Sequence, residues 1–382
     1  METKPNRAEI FFRKLAQRYA IVSVVFMSLV LFVVFFNLFI ATGNNLLRVN
    51  PVVKKYGINT LSKAYPDKNK DQIVKLLDET WSNTPLIFQG YVQFQEKPKS
   101  GKYMNISPDG FRQNGTPKSL PPNKNAFTIF LFGGSTAFGY GVSDDETIPH
   151  FLEAELKKTH NVSVYNFARG SYFSTQERIL FELLLENYKP DMVIFIDGLN
   201  DFSFLDGQPE YSRYMKDTLQ FNFYVAQKRF FRQLPMIDFF RNTRDLIFPP
   251  QKAEVNPLNM SASEKNAKLV LKRYLFNKKM IEQIATANRI PTLFVWQPIP
   301  DYPEKLAGYL FRDHLPVWPE RKIGYDIMKN KRKRLDNFLW AADVGKNIEP
   351  AYVDMVHYSK DMNKALAVFI ADELLKKHQN IK

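Results

Sequence analysis

Apolar positions follow three regimes along the 382 residues. From Tyr19 to Ala41 they run almost unbroken, and at ~1.5 Å per residue such a helix crosses the hydrocarbon of a bilayer. From Asn44 to about Pro122 they mix with Pro, Asn, Lys and Gly; here the pattern predicts one helix, Asp71 to Trp81, and a turn at Pro108-Asp109-Gly110. Beyond that, short apolar runs alternate with stretches of helical period.

Those runs predict five strands. Phe127 to Phe132 meets Gly133-Gly134-Ser135, Val162 to Ala168 ends at Arg169-Gly170, and Asp191 to Ile196 enters Asp197-Gly198-Leu199-Asn200-Asp201. Pro291 to Trp296 is a fourth and Asn337 to Ala342 a fifth. Between them lies a helix over Asp144 to Lys158, with Ile148, Phe151, Leu152 and Leu156 on one face. Another is opened by a capping box of Ser174 and Glu177 and stopped by Pro190. A closing helix starts near Asp361 and buries Leu366, Phe369, Ile370 and Leu374. Strands separated by helices imply right-handed crossovers and a mainly parallel sheet covered on both faces, the α/β class. Ligands of such sheets bind outside the carboxyl ends of the strands, where Ser135, Gly170 and Asn200 fall.

The predicted organisation is a basic tail (1–18), a membrane span (19–41), a stalk packing on the catalytic domain (42–122) and that domain (123–382). About residues 202–290 form an insertion rich in aromatic residues, including Phe202, Phe204, Tyr211, Tyr214, Phe221, Phe223, Tyr224, Phe230, Phe231, Phe239 and Phe240. It reads as a helical subdomain whose rings fill its own core, with a lid over the site as the alternative.

Charge sharpens the first segment. Lys4, Arg7, Arg13, Lys14 and Arg18 precede the span, and positive-inside bias then leaves the amino terminus in the cytoplasm and the remainder across the membrane, facing a periplasm or the cell surface. The apolar run is longer than the roughly 7 to 15 residues of a signal-peptide core, which favours an uncleaved anchor. The net charge of +14 suits anionic lipid, acidic envelope polymers or nucleic acid. Behind a membrane anchor the basic run Lys329, Lys331, Arg332, Lys333 and Arg334 reads as a solvated face or one drawn to anionic lipid or glycan, so no nucleic acid is expected. With no cysteine, disulfides, thiolate metal sites and a cysteine nucleophile are excluded. No metal-ligand spacing or phosphate loop stands out, so no metal or cofactor is expected.

Asp354-Met355-Val356-His357 supplies the remaining chemistry. A serine nucleophile needs a base, and the base needs an acceptor to hold its tautomer; three residues of spacing on a loop let a carboxylate reach the ring. With Ser135 in GGST, Gly170 in NFARGSYFS, Asn200 in DGLND and His357 in DMVHYS, the chain resembles the SGNH hydrolases, the GDSL-like esterases and lipases, over roughly residues 105 to 377. It departs from them at Gly134, where the family's name motif has Asp. With that glycine and an upstream SPDGFR turn, it resembles membrane-anchored bacterial members associated with cell-surface polysaccharide.

The resemblance implies a three-layer, flavodoxin-like fold with a five-stranded sheet. It makes Ser135 the nucleophile, His357 the base and Asp354 its orienting carboxylate. The oxyanion would lie among the Ser135 and Gly170 amides and the Asn200 side chain, while Asp201 would support the loop. The activity implied is an extracytoplasmic serine esterase acting on O-acyl groups, acetyl first, of an envelope or exported glycan, or on a small ester. An O-acyltransferase using the same acyl-serine and a non-catalytic glycan-binding or assembly factor are the alternatives. A histidine base implies activity that rises through mildly acidic pH and levels off once the ring is neutral.

Overall fold

The computed structural model describes residues 6–46, 49–82, 85–207, 227, 231–232, 234–248, 260–302, 308–316 and 318–377. The chain divides into two compact units, Met1–Val49 with Met215–Glu254, and Asn50–Tyr214 with Val255–Lys382.

The first unit contains α1 (Arg7–Leu46), whose apolar side chains are exposed from Ile10 to Phe39 apart from the half-buried Phe36. It is the one described helix long and apolar enough to cross a membrane. A helix from the second segment of this unit, described further on, packs against it.

The larger unit opens with three short helices, α2 (Pro51–Tyr56), α3 (Ile58–Ala64) and α4 (Lys70–Leu77). An antiparallel hairpin follows, β1 (Leu86–Gln89) with β2 (Gln93–Glu96). The five-stranded sheet comprises β3 (Phe127–Gly133), β4 (Val162–Asn166), β5 (Met192–Asp197), β6 (Thr292–Trp296) and β7 (Phe338–Trp340), in the order β4-β3-β5-β6-β7. Every pairing is parallel, as expected for continuous apolar runs buried on both faces. Three expected strands are shorter than their apolar runs because the chain turns away at their ends.

This is the doubly wound order in which the chain leaves the first strand for one neighbour and returns past it to the other. The switch point is therefore the carboxyl end of β3, and Ser135 follows it directly. One face of the sheet presents Ile129, Leu131, Val164, Ile194 and Val295 to α6 (Ile148–Leu156) and α11 (Lys360–Lys377), and apolar side chains of α2, α3 and α4 join the same core. The other presents Phe130, Phe132, Phe195, Phe294 and Trp296 to α7 (Ser174–Leu185), α9 (Met260–Ala287) and α10 (Pro319–Lys331). On this aromatic face Phe132, Phe195 and Phe294 stack in a row across three strands, centroids 4.8 and 5.3 Å apart. The three-layer α/β/α architecture with five parallel strands is the one expected.

Two helix starts differ from the sequence pattern. Asp144–Glu146 forms a separate 3-10 turn, and α6 begins only after Thr147, whose hydroxyl accepts the His150 amide. At the start of α7 the N-cap is Phe173, without a side-chain cap. Ser174 is already helical, and its hydroxyl donates to Asp201 Oδ1 at 2.6 Å, a tertiary partner that displaces the local capping pattern. Of the aromatic insertion, Tyr211, Tyr214, Phe221, Phe223, Tyr224 and Phe230 lie outside the described residues. Phe202 belongs to the sheet's aromatic core beside Trp296, and Phe204 packs on Phe173.

Candidate active site

The turn after β3 is made by α5 (Ser135–Phe138), a single helical turn closed by Gly139 in the left-handed region at φ +95°. Ser135 thus opens a helix whose first amides have no intrahelical acceptor. Arg112, fully buried, straps this turn down. Its guanidinium donates to the carbonyls of Phe138, Gly139 and Val142 and pairs with Asp144 Oδ1 at 2.8 Å.

His357 arrives on the loop before α11. Its Nε2 lies 2.8 Å from Ser135 Oγ, and its Nδ1 lies 2.6 Å from Asp354 Oδ2. Asp354 Oδ1 accepts the amides of Val356 and His357, so the three-residue spacing closes on itself. Burial pushes the Asp354 carboxyl up, but the charge of His357 and these donors outweigh it and hold the group below its usual value. The outer face of the imidazole is bounded by Trp81 and Tyr140, edge-on at 4.6 and 5.6 Å.

Asn200 follows β5 and reaches across to the turn. Its Nδ2 donates to the Tyr172 carbonyl at 2.7 Å, which commits one of the two N–H bonds of a primary amide. A Cβ on Gly134 would stand 2.2 Å from that nitrogen. The space into which a side chain at position 134 would project is therefore filled by the Asn200 amide, a physical reason for glycine there.

Gly170 is placed differently from the expectation. Its amide donates to Glu96 Oε1 at 2.7 Å rather than opening toward Ser135, and a Cβ there would strike the Tyr140 hydroxyl at 2.6 Å. Glu96 is fully buried beside Arg169, 3.6 Å from Nη1. Burial raises its carboxyl above the ordinary value, against the pull of Arg169 and the Gly170 amide. The structure thus brings Ser135, His357 and Asp354 into one chain of hydrogen bonds and sets Asn200 over Gly134, while the Gly170 amide is occupied. The exposed next residue, Ser171, holds a left-handed φ of +61°.

Behind the Asn200 loop lies a group without a sequence signature. Glu177, Asp197 and Asp201 are buried together, and Asp201 is tied to Ser174 and, through its carbonyl, to Arg273 at 2.7 Å. Asn277 in turn donates to Ser174 Oγ at 3.0 Å. Burial and the charge of Asp201 push Asp197 up to about 8, and burial with the charge of Asp197 raises Glu177 as well. Among the described residues, no three His, Asp or Glu side chains converge as a metal site. Trp81, Glu96, Arg112 and Tyr140 were also not legible as site residues. Each acts through a contact distant in sequence, and the one local signal was the SPDGFR turn, which holds Arg112 without revealing its partners.

No protein-family model matches the sequence, and no curated protein matches it. Solved structures do match. The chain is similar to GDSL-type esterases and acylhydrolases. Esterase EstA from Pseudoalteromonas sp. is 14% identical, the match covering 66% of this chain and 100% of that one with a TM-score of 0.34. A lipase/acylhydrolase from Enterococcus faecalis is 14% identical, over 65% and 96%, with a TM-score of 0.33. A GDSL-like lipase from Bacteroides thetaiotaomicron is 13% identical, over 68% and 92%, with a TM-score of 0.34.

Proposed function

We propose that the chain is a membrane-tethered serine esterase working through an acyl-serine intermediate. The observation that carries this reading is the continuous path from Ser135 Oγ through His357 to Asp354, at 2.8 and 2.6 Å. Ser135 Oγ attacks the ester carbonyl and its proton passes to His357 Nε2. The tetrahedral adduct collapses, and the departing alkoxide takes that proton. Water then attacks the acyl-serine with His357 again as base, and the acid leaves as Ser135 recovers its proton. Asp354, kept ionised by its donors, holds the ring and stabilises the imidazolium. The oxyanion falls to the Ser135 amide and Asn200 Nδ2; the Gly170 amide, held by Glu96, fixes the turn beside them.

For the substrate we infer the O-acetyl ester of an envelope or exported glycan. The rings of Trp81 and Tyr140 border the base, a surface on which the face of a sugar can rest. The basic charge suits an acidic polymer. The basic residues ahead of the apolar run that starts at Tyr19 favour a cytoplasmic amino terminus and an external catalytic unit.

The test is fluorophosphonate labelling and p-nitrophenyl acetate turnover by the full-length protein in detergent, wild type beside Ser135→Ala. Labelling and turnover in the wild type and neither in the variant are expected. A folded wild type that is never labelled would overturn the nucleophile assignment.

A further inference from the structure

Within the smaller unit, α8 (Pro235–Ile247) is amphipathic, and among the described residues its apolar face is left uncovered beyond its contact with α1. At 100° per residue Met236, Phe239, Phe240, Thr243, Leu246 and Ile247 share one sector, whereas Asp238, Arg241, Asn242, Arg244 and Asp245 occupy the other with Ile237 among them. No residue of this helix is buried; Leu246 is 86% exposed and the following Phe248 71%. The polar sector is internally matched, Arg241 pairing with Asp238 and Arg244 with Asp245.

The helix is fixed to α1 at its amino end. Asn37, a polar residue inside the apolar run, accepts the Met236 amide on Oδ1 at 3.1 Å and donates Nδ2 to the Val33 carbonyl. Met236 lies in the first turn, where amides lack helical acceptors, so the two elements satisfy one another. Phe36 packs against both Phe239 and Phe240, centroids 6.2 Å apart in each pair. Counted from Tyr19, Phe36 lies about 26 Å along the apolar helix, close to the thickness of a bilayer's hydrocarbon. The junction therefore sits near the carboxyl-terminal boundary of the span.

The structure assigns α8 to the membrane interface. Its apolar sector enters the acyl-chain boundary of the leaflet in which the α1 span ends, and its ion-paired sector faces the headgroups. The occupant of the uncovered face is lipid because that face continues the exposed apolar surface of α1. The protein thus holds the membrane through one spanning and one lying helix. This rests on α1 crossing the bilayer, and the experiment separates the two.

Because the chain has no cysteine, a nitroxide can be attached at one introduced cysteine at a time in the full-length protein. The variants are Val30→Cys in mid-span, Leu246→Cys on the apolar sector and Arg241→Cys on the polar one, in phosphatidylethanolamine–phosphatidylglycerol vesicles. Relaxation by oxygen, which concentrates in lipid, is compared with relaxation by a water-soluble nickel chelate. Expected are oxygen-dominated collisions at 246, as at 30, and the reverse ratio at 241. If 30 reports lipid while 246 reports water, the interfacial assignment is overturned and the span stands. Little collision with either reagent at 246 means protein covers the face, which also overturns it. If 30 itself reports water, the span fails and the assignment falls with it.

Discussion

Gly134 and Asn200 act as one unit, because the amide of the second occupies the space a side chain on the first would need. Gly134→Ala should push Asn200 Nδ2 off the oxyanion and reproduce the defect of Asn200→Ala. Losing one such donor costs roughly 100- to 1000-fold in turnover, with KM much less affected. The double variant should be no slower than either single one, since the second change removes an interaction already lost; additive losses in steady-state kinetics would separate the two residues. A second consequence belongs to the acidic group behind the loop. Asp197 is raised to about 8, whereas a carboxyl in the unfolded chain titrates near ~3.9. Between these values the folded state keeps a proton that the unfolded state has released, so stability must fall as pH rises through the window. Glu177 and Asp201 are raised as well and act with the same sign. Urea midpoints should therefore decline from about pH 5 to pH 9, and Asp197→Asn should flatten the decline; an unchanged slope in that variant would remove Asp197 as its source.

Among the elements, the strands were legible in the sequence because a doubly wound sheet buries both of its faces and leaves uninterrupted apolar runs. The helix starts were less so. Ser174 and Glu177 have the spacing of a capping box, but one is drawn to Asp201 and the other into the acidic group, partners that local pattern does not reveal. The turn after Ser135 likewise depends on a residue far from it. Arg112 fills three carbonyls of that turn and neutralises Asp144. Arg112→Met should leave a buried carboxylate without its cation, at a cost of about 3–5 kcal/mol, and release the helical turn that carries Ser135. Chemical denaturation should show that loss, and the residual folded protein should turn over more slowly than wild type at saturating ester. Normal turnover from a destabilised but folded Arg112→Met would mean that the turn holds its shape without the strap.

For the whole molecule, the four motifs mark the carboxyl ends of the sheet and the closing loop, which is why the residues that meet around Ser135 and His357 stood out in the sequence while their surroundings did not. Trp81, Glu96 and Arg112 come from residues 50–122, where the sequence pattern marks one helix and a turn but no contact with the site, and they reach it only through folding. Val52, Leu61, Ile73 and Leu76 of the same stretch lie in the core beneath α6 and α11. The larger compact unit therefore begins at Asn50 and not at the first motif. A fragment of residues 50–382 should fold with its apolar core complete and retain wild-type turnover of p-nitrophenyl acetate in solution. A fragment of residues 123–382 should lose both. Each large buried aliphatic side chain it lacks contributes roughly 1.5–3 kcal/mol, four of them already rival the net stability of a domain at about 5–15 kcal/mol, and Arg169 would be left buried without Glu96. A cooperative thermal transition and esterase activity in the shorter fragment would show that residues 50–122 only decorate a site that stands without them.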